Sequence, residues 1–253
     1  MRTILLLTTI SLAALGAAGA HAEASNAAPP DTSSMPQTVL PQAMPPEAPA
    51  TGPVYSFTLT AASDYVFRGV SQTENAAAVF GSGRVAYDNF YLGVGAENVN
   101  FHNGTKAEYD LSLGWTPKLD GFTFDFGAIR YGYIDQPAHT YIDTVEFKAA
   151  ALHDFGPVTL GAAIYVSPDY FGTHRDDVYV EGRAAYRITH KITLGGAVGR
   201  QSDGLQDHTT WNAGATYAFT KHLALDLRYA DTDEHDLGKT YGSHFIAALK
   251  ASF

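Results

Sequence analysis

Cysteine is absent from the 253 residues, which excludes a disulfide framework, a thiolate-held zinc or iron–sulfur site and a thiol nucleophile in any compartment. Basic residues are scarce: 16 Lys and Arg face 26 Asp and Glu, a formal net charge of −10. Nucleic-acid affinity rests on Lys and Arg neutralising phosphates, so no nucleic acid is expected among the partners. Mean hydropathy is only −0.10, which excludes a polytopic helical membrane protein. Charge of either sign is also thin, at 17% of residues against roughly 25% in an ordinary soluble domain. Gly, Ala, Tyr and Phe fill the deficit, with 15 Tyr and 14 Phe. That is an odd surface for a protein bathed in water.

The chain opens with Arg2, a mostly apolar stretch from Ile4 to Ala18, and Ala20-His21-Ala22, the pattern of a secretory signal cleaved after Ala22. A transmembrane anchor would need roughly 20 apolar residues, and no Cys follows for lipoprotein processing. Residues 1–22 are therefore expected to be a signal peptide. Without Arg2, 15 basic residues face 26 acidic ones. Residues 23–53 shift to Ala, Pro, Ser, Thr and Met and hold eight of the 12 prolines, with neither a helical nor a strand period. Such a stretch buries too little apolar surface to offset its ordering entropy and is expected to be a disordered tether. A docking role for it in the periplasm has no specific motif behind it.

From Val54 to Phe253 the hydrophobic pattern has period 2, the mark of strands with two unlike faces. Twelve segments are expected: 54–66, 76–87, 90–100, 106–116, 122–134, 142–153, 157–167, 177–188, 191–201, 208–219, 222–231 and 243–253. Most exceed the five or six residues of a typical globular strand and match what a tilted strand needs to cross a bilayer. Tight connections, such as Asp88-Asn89, Thr189-His190 and Thr220-Lys221, alternate with longer ones rich in Gly, Asp and His. This is the rhythm of an up-and-down transmembrane antiparallel β-barrel with short periplasmic turns and longer outer loops. An even strand count puts the tether and the C-terminus on the periplasmic side.

The faces are unlike in kind. Tyr109, Leu111, Leu113 and Trp115 alternate with Glu108, Asp110, Ser112 and Gly114, and Leu223, Leu225, Leu227 and Tyr229 with Asp226 and Arg228. A soluble sandwich alternates in the same way, so two further features are needed. Aromatics bunch at segment ends: Tyr87, Phe90, Trp115, Phe122, Tyr186, Tyr217, Phe219 and Phe253 at the turns, and Tyr65, Phe67, Phe101, Tyr131, Tyr170, Trp211, Tyr229 and Phe245 toward the loops. Two girdles around an apolar band are expected at the two membrane interfaces. The polar face carries mid-strand charges of both signs among Gly, Ser and Thr, whereas a soluble surface is richer in Lys and Glu. The last strand ends on Phe253 and resembles the terminal strand read by the barrel-assembly machinery of Gram-negative outer membranes.

The stretch Ser63-Asp64-Tyr65-Val66-Phe67-Arg68-Gly69-Val70-Ser71-Gln72-Thr73 resembles the opening motif of the TorF-like porin family. Ser167-Pro168-Asp169-Tyr170-Phe171-Gly172 and Leu225-Asp226-Leu227-Arg228-Tyr229-Ala230-Asp231-Thr232-Asp233 are similar to later segments of that family, in the same order. The resemblance runs from about Val54 to Phe253 and leaves out the tether. It implies an outer-membrane barrel called a porin chiefly for its architecture, and so points to no particular solute.

The inward parity selects sixteen pore-lining candidates: Asp64, Arg68, Arg84, Glu97, Lys106, Glu108, Asp110, Asp125, Glu146, Lys148, Glu181, Arg183, Arg187, Asp226, Arg228 and Lys250. Eight are acidic and eight basic. Twelve strands should leave a passage between the side-chain-filled interior of eight and the open channel of sixteen. Lined by balanced charge, it would select small solutes or ions by size and local field. The same charges could instead pair across the lumen and plug it, giving a non-conducting structural or surface-interaction barrel. Arg68 either guides an anionic solute at the mouth or pairs with Asp64 or a neighbouring strand's acid, and Tyr65 and Phe67 are expected at the membrane interface.

His102, His139, His174, His208, His235 and His244 fall near the loops with Asp176, Asp177, Asp207, Asp231, Asp233 and Asp236. Imidazole and carboxylate suit divalent metals, but no zincin or EF-hand spacing is present. Solvated acidic loops, bridging lipopolysaccharide through divalent cations, are the plainer reading, and no metal or cofactor is assigned. Ser243 and His244 are adjacent, so on a strand they face opposite ways, and no G-x-S-x-G elbow occurs; a lipid-modifying enzyme is the least favoured alternative. The expected surroundings are outer-membrane lipid and lipopolysaccharide, the assembly machinery during biogenesis, and small solutes or ions.

Overall fold

The computed structural model describes residues 52–253. The expected signal peptide and nearly all of the expected tether lie outside the described residues. Twelve long strands form the wall: β1 Val54–Ala62, β2 Ala78–Tyr87, β3 Phe90–Asn98, β4 Ala107–Trp115, β5 Phe122–Ile134, β6 Thr144–Phe155, β7 Val158–Ser167, β8 Asp177–Arg187, β9 Ile192–Ser202, β10 His208–Ala218, β11 Leu223–Thr232 and β12 His244–Ser252. Each pairs antiparallel with its sequence neighbours, and β1 pairs with β12 from Thr58↔Ser252 to Ala62↔Ala248, which closes the barrel. Closure removes the free edges that an open sheet would expose. The seam is completed at the turn end by two backbone bonds of 2.9 Å between Phe57 and Phe253, so Val54 and Phe253 share one end of the barrel.

The expected alternation of faces holds along the wall. On β3, Tyr91, Gly93, Gly95 and Glu97 are buried while Phe90, Leu92, Val94 and Ala96 are exposed. Mid-wall outward residues are apolar and bare: Leu92 is 60% exposed, Leu113 57% and Val198 55%. A belt of aliphatic side chains all round a molecule far exceeds the isolated patches a water-soluble protein tolerates, and it suits hydrocarbon. The core therefore lies inside the barrel, where Phe80, Ile129, Tyr131, Tyr133, Tyr165 and Tyr179 form part of one buried apolar cluster.

Boundaries follow the expected segments to within a few residues, with one instructive departure. The first segment, expected to run to residue 66, ends at Ala62. The chain then leaves the wall and makes a two-residue hairpin of its own, Val66↔Ser71 and Phe67↔Val70.

Candidate functional site

That hairpin carries the Ser63–Thr73 motif and turns into the barrel. Its base is tied to the seam where Ser63 donates its backbone N–H to Ala247. Asp64 is the organiser: one carboxylate oxygen accepts from the hydroxyls of Ser71 at 2.7 Å and Thr73 at 2.8 Å, and the other lies 3.2 Å from His244 Nδ1. Short hydroxyl side chains satisfy turn backbones locally, and here Thr73 Oγ1 accepts from the Tyr65 N–H. The tip is Arg68-Gly69. Arg68 has φ 50° and Gly69 φ 83°. A non-glycine residue in this left-handed region is uncommon and persists only when its surroundings hold it. At Gly69 a Cβ would collide with the side chains of Thr210 and Thr232, so the bend needs glycine for space as well as for conformation.

The held residue is Arg68, whose guanidinium is almost wholly buried in the loop half of the lumen. Nη2 donates to both oxygens of Glu146, at 2.7 and 2.8 Å. Nη1 donates to Asp177 at 3.3 Å and to Gln201 at 3.1 Å. Gln201 in turn donates to Asp177 at 2.7 Å, and the Tyr131 hydroxyl to Glu146 at 3.0 Å. The rings of Tyr179 and Phe67 lie 4.3 and 4.7 Å from the guanidinium carbon, and Gly199 clears room for the Tyr179 ring. His208 Nε2 sits 2.9 Å from the Arg68 carbonyl. Forked pairing to a carboxylate with cation–π faces on either side is what a planar guanidinium does and an ammonium does not. One residue from the loop thereby ties together β6, β8, β9 and β10.

Two further groupings lie in the lumen. Toward the turns, Lys148 donates to Asp125 at 2.6 Å and to the Tyr91 hydroxyl at 3.2 Å, while Arg84 lies 3.8 Å over the Tyr91 ring. On β11, Arg228 grips Asp226 through two 3.0 Å bonds and Asn212 through one of 2.8 Å. Arg183 is more loosely placed, 3.6 Å from Glu181. Close to the loop end of β3 and β4, Glu97, Glu108 and Asp110 come together, all buried.

Most of the sixteen charge candidates are thus enclosed, but two are not. Lys106 projects into solvent at the loop rim, 3.3 Å from Asp135, and Arg187 is exposed at the turn rim, where its contact is the Gly156 carbonyl at 3.4 Å. Each has inward parity but lies just past or at the last rung, where the wall no longer encloses a side chain. Lys250 is half-buried near the same turn end. The aromatic expectation needs a larger correction. Trp115, Phe122, Tyr186, Tyr217, Phe219 and Phe253 are exposed on the outer surface, as are Trp211 and Phe245, with Tyr229 half-buried beside Phe245. Tyr65, only 4% exposed, and Phe67 instead face inward, because the segment that carries them is a folded-in hairpin and not part of the wall. Tyr131 is inward by parity with Ile129, while Phe101 and Phe171 pack on the same inner cluster.

Sequence reasoning missed Tyr91, Tyr133, Tyr165, Tyr179 and Gln201, because periodicity assigns Tyr to either face with equal ease. It grouped Asp177, His208 and His244, at the loop ends of their expected segments, with the solvated acidic loops, yet all three are buried. The usable signal was the resemblance itself: the motif residues Asp64, Arg68, Ser71 and Thr73 build the inward hairpin, and Phe171 of the second motif packs edge-on against Phe67.

Fold and lumen together define a closed transmembrane-type β-barrel of porin-like architecture. The chain belongs to the Gcw_chp family, described as a bacterial protein of unknown function, whose model matches residues 47–253. No curated protein matches it. Among solved structures, the fold is similar to the KdgM porin at a TM-score of 0.56 and 10% identity, covering 78% of this chain and 99% of that one. It is also similar to the NanC porin at 0.51 and 10%, covering 79% and 98%. At this identity the likeness concerns the fold.

Proposed function

We propose that the chain is a passive, porin-like channel of a Gram-negative outer membrane, allied to the TorF-like porins, that passes small solutes or ions through a narrow lumen closed at rest by its own first loop. The observation that carries this reading is the division of the interior. The loop half is sealed around Arg68, whereas several inward residues of the turn half, among them Ser56, Thr58, Ser82, Arg183 and Thr193, are half-buried beside the enclosed Lys148–Asp125 and Arg228–Asp226 pairs. Water reaching a charged vestibule behind a removable plug is the arrangement a gated passage needs. The plug is small, and the contacts of its tip converge on the Arg68 guanidinium, which one substitution removes. Periplasmic placement of the tether and C-terminus is supported by Val54 and Phe253 lying at the same, turn end of the barrel. Lipopolysaccharide beside the acidic loops and the assembly machinery reading Phe253 complete the proposed surroundings. No enzymatic step is part of this reading: Ser243 is exposed, while His244 is buried with its ring nitrogens beside Asp64 and the Thr240 carbonyl.

A second reading is favoured by the same Arg68 cluster: a barrel plugged for good, with a structural or surface-interaction role. Planar-bilayer recording on the refolded protein separates the two. Rare, small steps from the wild type and frequent, larger ones from Arg68→Ala are expected. Silence from both across a range of voltages would establish the plugged barrel and end the channel reading.

A further inference from the structure

Glu97, Glu108 and Asp110 each place a carboxylate oxygen within 4.8 Å of the other two. Glu97 and Glu108 are direct cross-strand partners, and Asp110 is the next inward residue along β4. All three are at most 5% exposed, and no ion pair joins any of them to a Lys, Arg or His among the described residues. Three carboxylates without a counter-charge in a dry interior repel one another and forgo the hydration that makes ionised groups tolerable.

A second observation points the same way. Glu97 Oε2 and Asp110 Oδ1 are buried without any hydrogen-bond partner, and so is the hydroxyl of Ser112, the next inward residue on the same strand. More than nine in ten buried polar atoms are partnered, and an exception calls for a ligand or other cause. Contrast Glu146 nearby, whose two oxygens are both engaged by Arg68. In the triad Glu108 accepts from the Tyr65 hydroxyl at 3.0 Å and also lies within hydrogen-bonding reach of Tyr133 and Glu97.

We propose that this triad is a binding site for a hard divalent cation of the Ca2+ class. Such an ion takes about six to eight oxygens at about 2.3–2.6 Å, so ligand atoms on opposite sides of it stand roughly 5 Å apart, in line with the observed grouping. Three carboxylates supply up to six oxygens, with the Ser112 hydroxyl a neighbouring oxygen on the same strand. The ion also stabilises the inward loop, because Tyr65, two residues past Ser63, donates to Glu108 and packs edge-on against Phe80 at 5.1 Å. The proposal stands whether or not the barrel conducts.

The test uses the refolded full-length barrel stripped with a chelator, with Tb3+ as a luminescent probe excited through tyrosine and Ca2+ as competitor. Wild type should show saturable emission that Ca2+ displaces. E97Q combined with D110N should bind about tenfold or more weakly, whereas D207N combined with D233N, in the exposed loops, should bind like wild type. Boiled and unboiled gel mobility reports folding, and E97Q alone serves if the double variant fails to fold. Chelator should lower the thermal midpoint of wild type but not that of E97Q/D110N, which has lost the uncompensated charge. Equal Tb3+ affinity in wild type and E97Q/D110N would place the ion in the loops and overturn the site. Lack of saturable binding, with a midpoint indifferent to chelator, would overturn it by showing that protons alone neutralise the triad.

Discussion

In the loop half of the lumen Glu146 and Asp177 are fully buried, and Tyr179 and Gln201 are 1% exposed; every one of them touches the Arg68 side chain. In the turn half Arg183, Thr193, Gly195, Ala197 and Asn212 point inward as well, yet all are half-buried. The residue types overlap, with Arg, acid and Tyr in both. What differs is the loop that enters one half and not the other. Where the hairpin expels water, an ion pair becomes a structural member whose loss strands its partners; where water remains, the same pair is replaceable by hydration.

Arginine truncation is the strongest way to break this contrast. Arg68→Ala leaves Glu146 and Asp177 buried with no cation and should cost about 3–5 kcal/mol of barrel stability. Arg183→Ala, which loses a half-buried cation 3.6 Å from Glu181 in the wetter half, should cost about 1 kcal/mol. Urea unfolding in micelles, followed by the fluorescence of Trp115 and Trp211, measures both. Equal losses would mean that the two halves are alike in hydration. The glycines sharpen the comparison at intermediate scale. Gly69→Ala combines a left-handed backbone with a collision against Thr210 and Thr232 and should destabilise by about 1–3 kcal/mol, whereas Gly182→Ala on the outer wall meets nothing within 4 Å and should be nearly neutral. Easier proteolysis within residues 63–77 of the Gly69 variant would locate the damage in the hairpin. The smallest effect is electrical. Neutralising Arg183 to Gln should move the reversal potential in a salt gradient modestly toward cations, while Lys106→Gln and Arg187→Gln at the two rims should leave it in place. An unmoved potential for the Arg183 variant would show that the wet half does not line the route.

Much of the wall was legible in the sequence, since a two-residue period and a change of connection length repeat along β2 to β12 and each repeat is local. Glu108, Asp110, Leu111 and Leu113 declared their faces by parity alone. Tyr131 did not, because Tyr is equally at home at an interface and in a core, and only the inward partner Glu146 distinguishes the two. Ser63 to Thr73 misled for a different reason: Tyr65 and Phe67 keep the alternation of a strand while the backbone has already left the sheet, and the bend rests on Gly69 fitting between Thr210 and Thr232, far away in the chain.

The sequence by itself determined the barrel: strand number, the apolar outer belt, closure with both ends on the turn side, and the charged inner parity. These follow from local alternation acting under one global demand, that every strand edge be paired in a medium without water. Tertiary structure alone decided which charges meet. Arg68 reaches Glu146, Asp177 and Gln201 across separations of 78, 109 and 133 residues, and Glu97, Glu108 and Asp110 are left facing one another with no ion-paired cation among the described residues. Pairing inside a closed lumen depends on how far a side chain reaches and on which segment displaces the water, and neither is written into the period of any one strand.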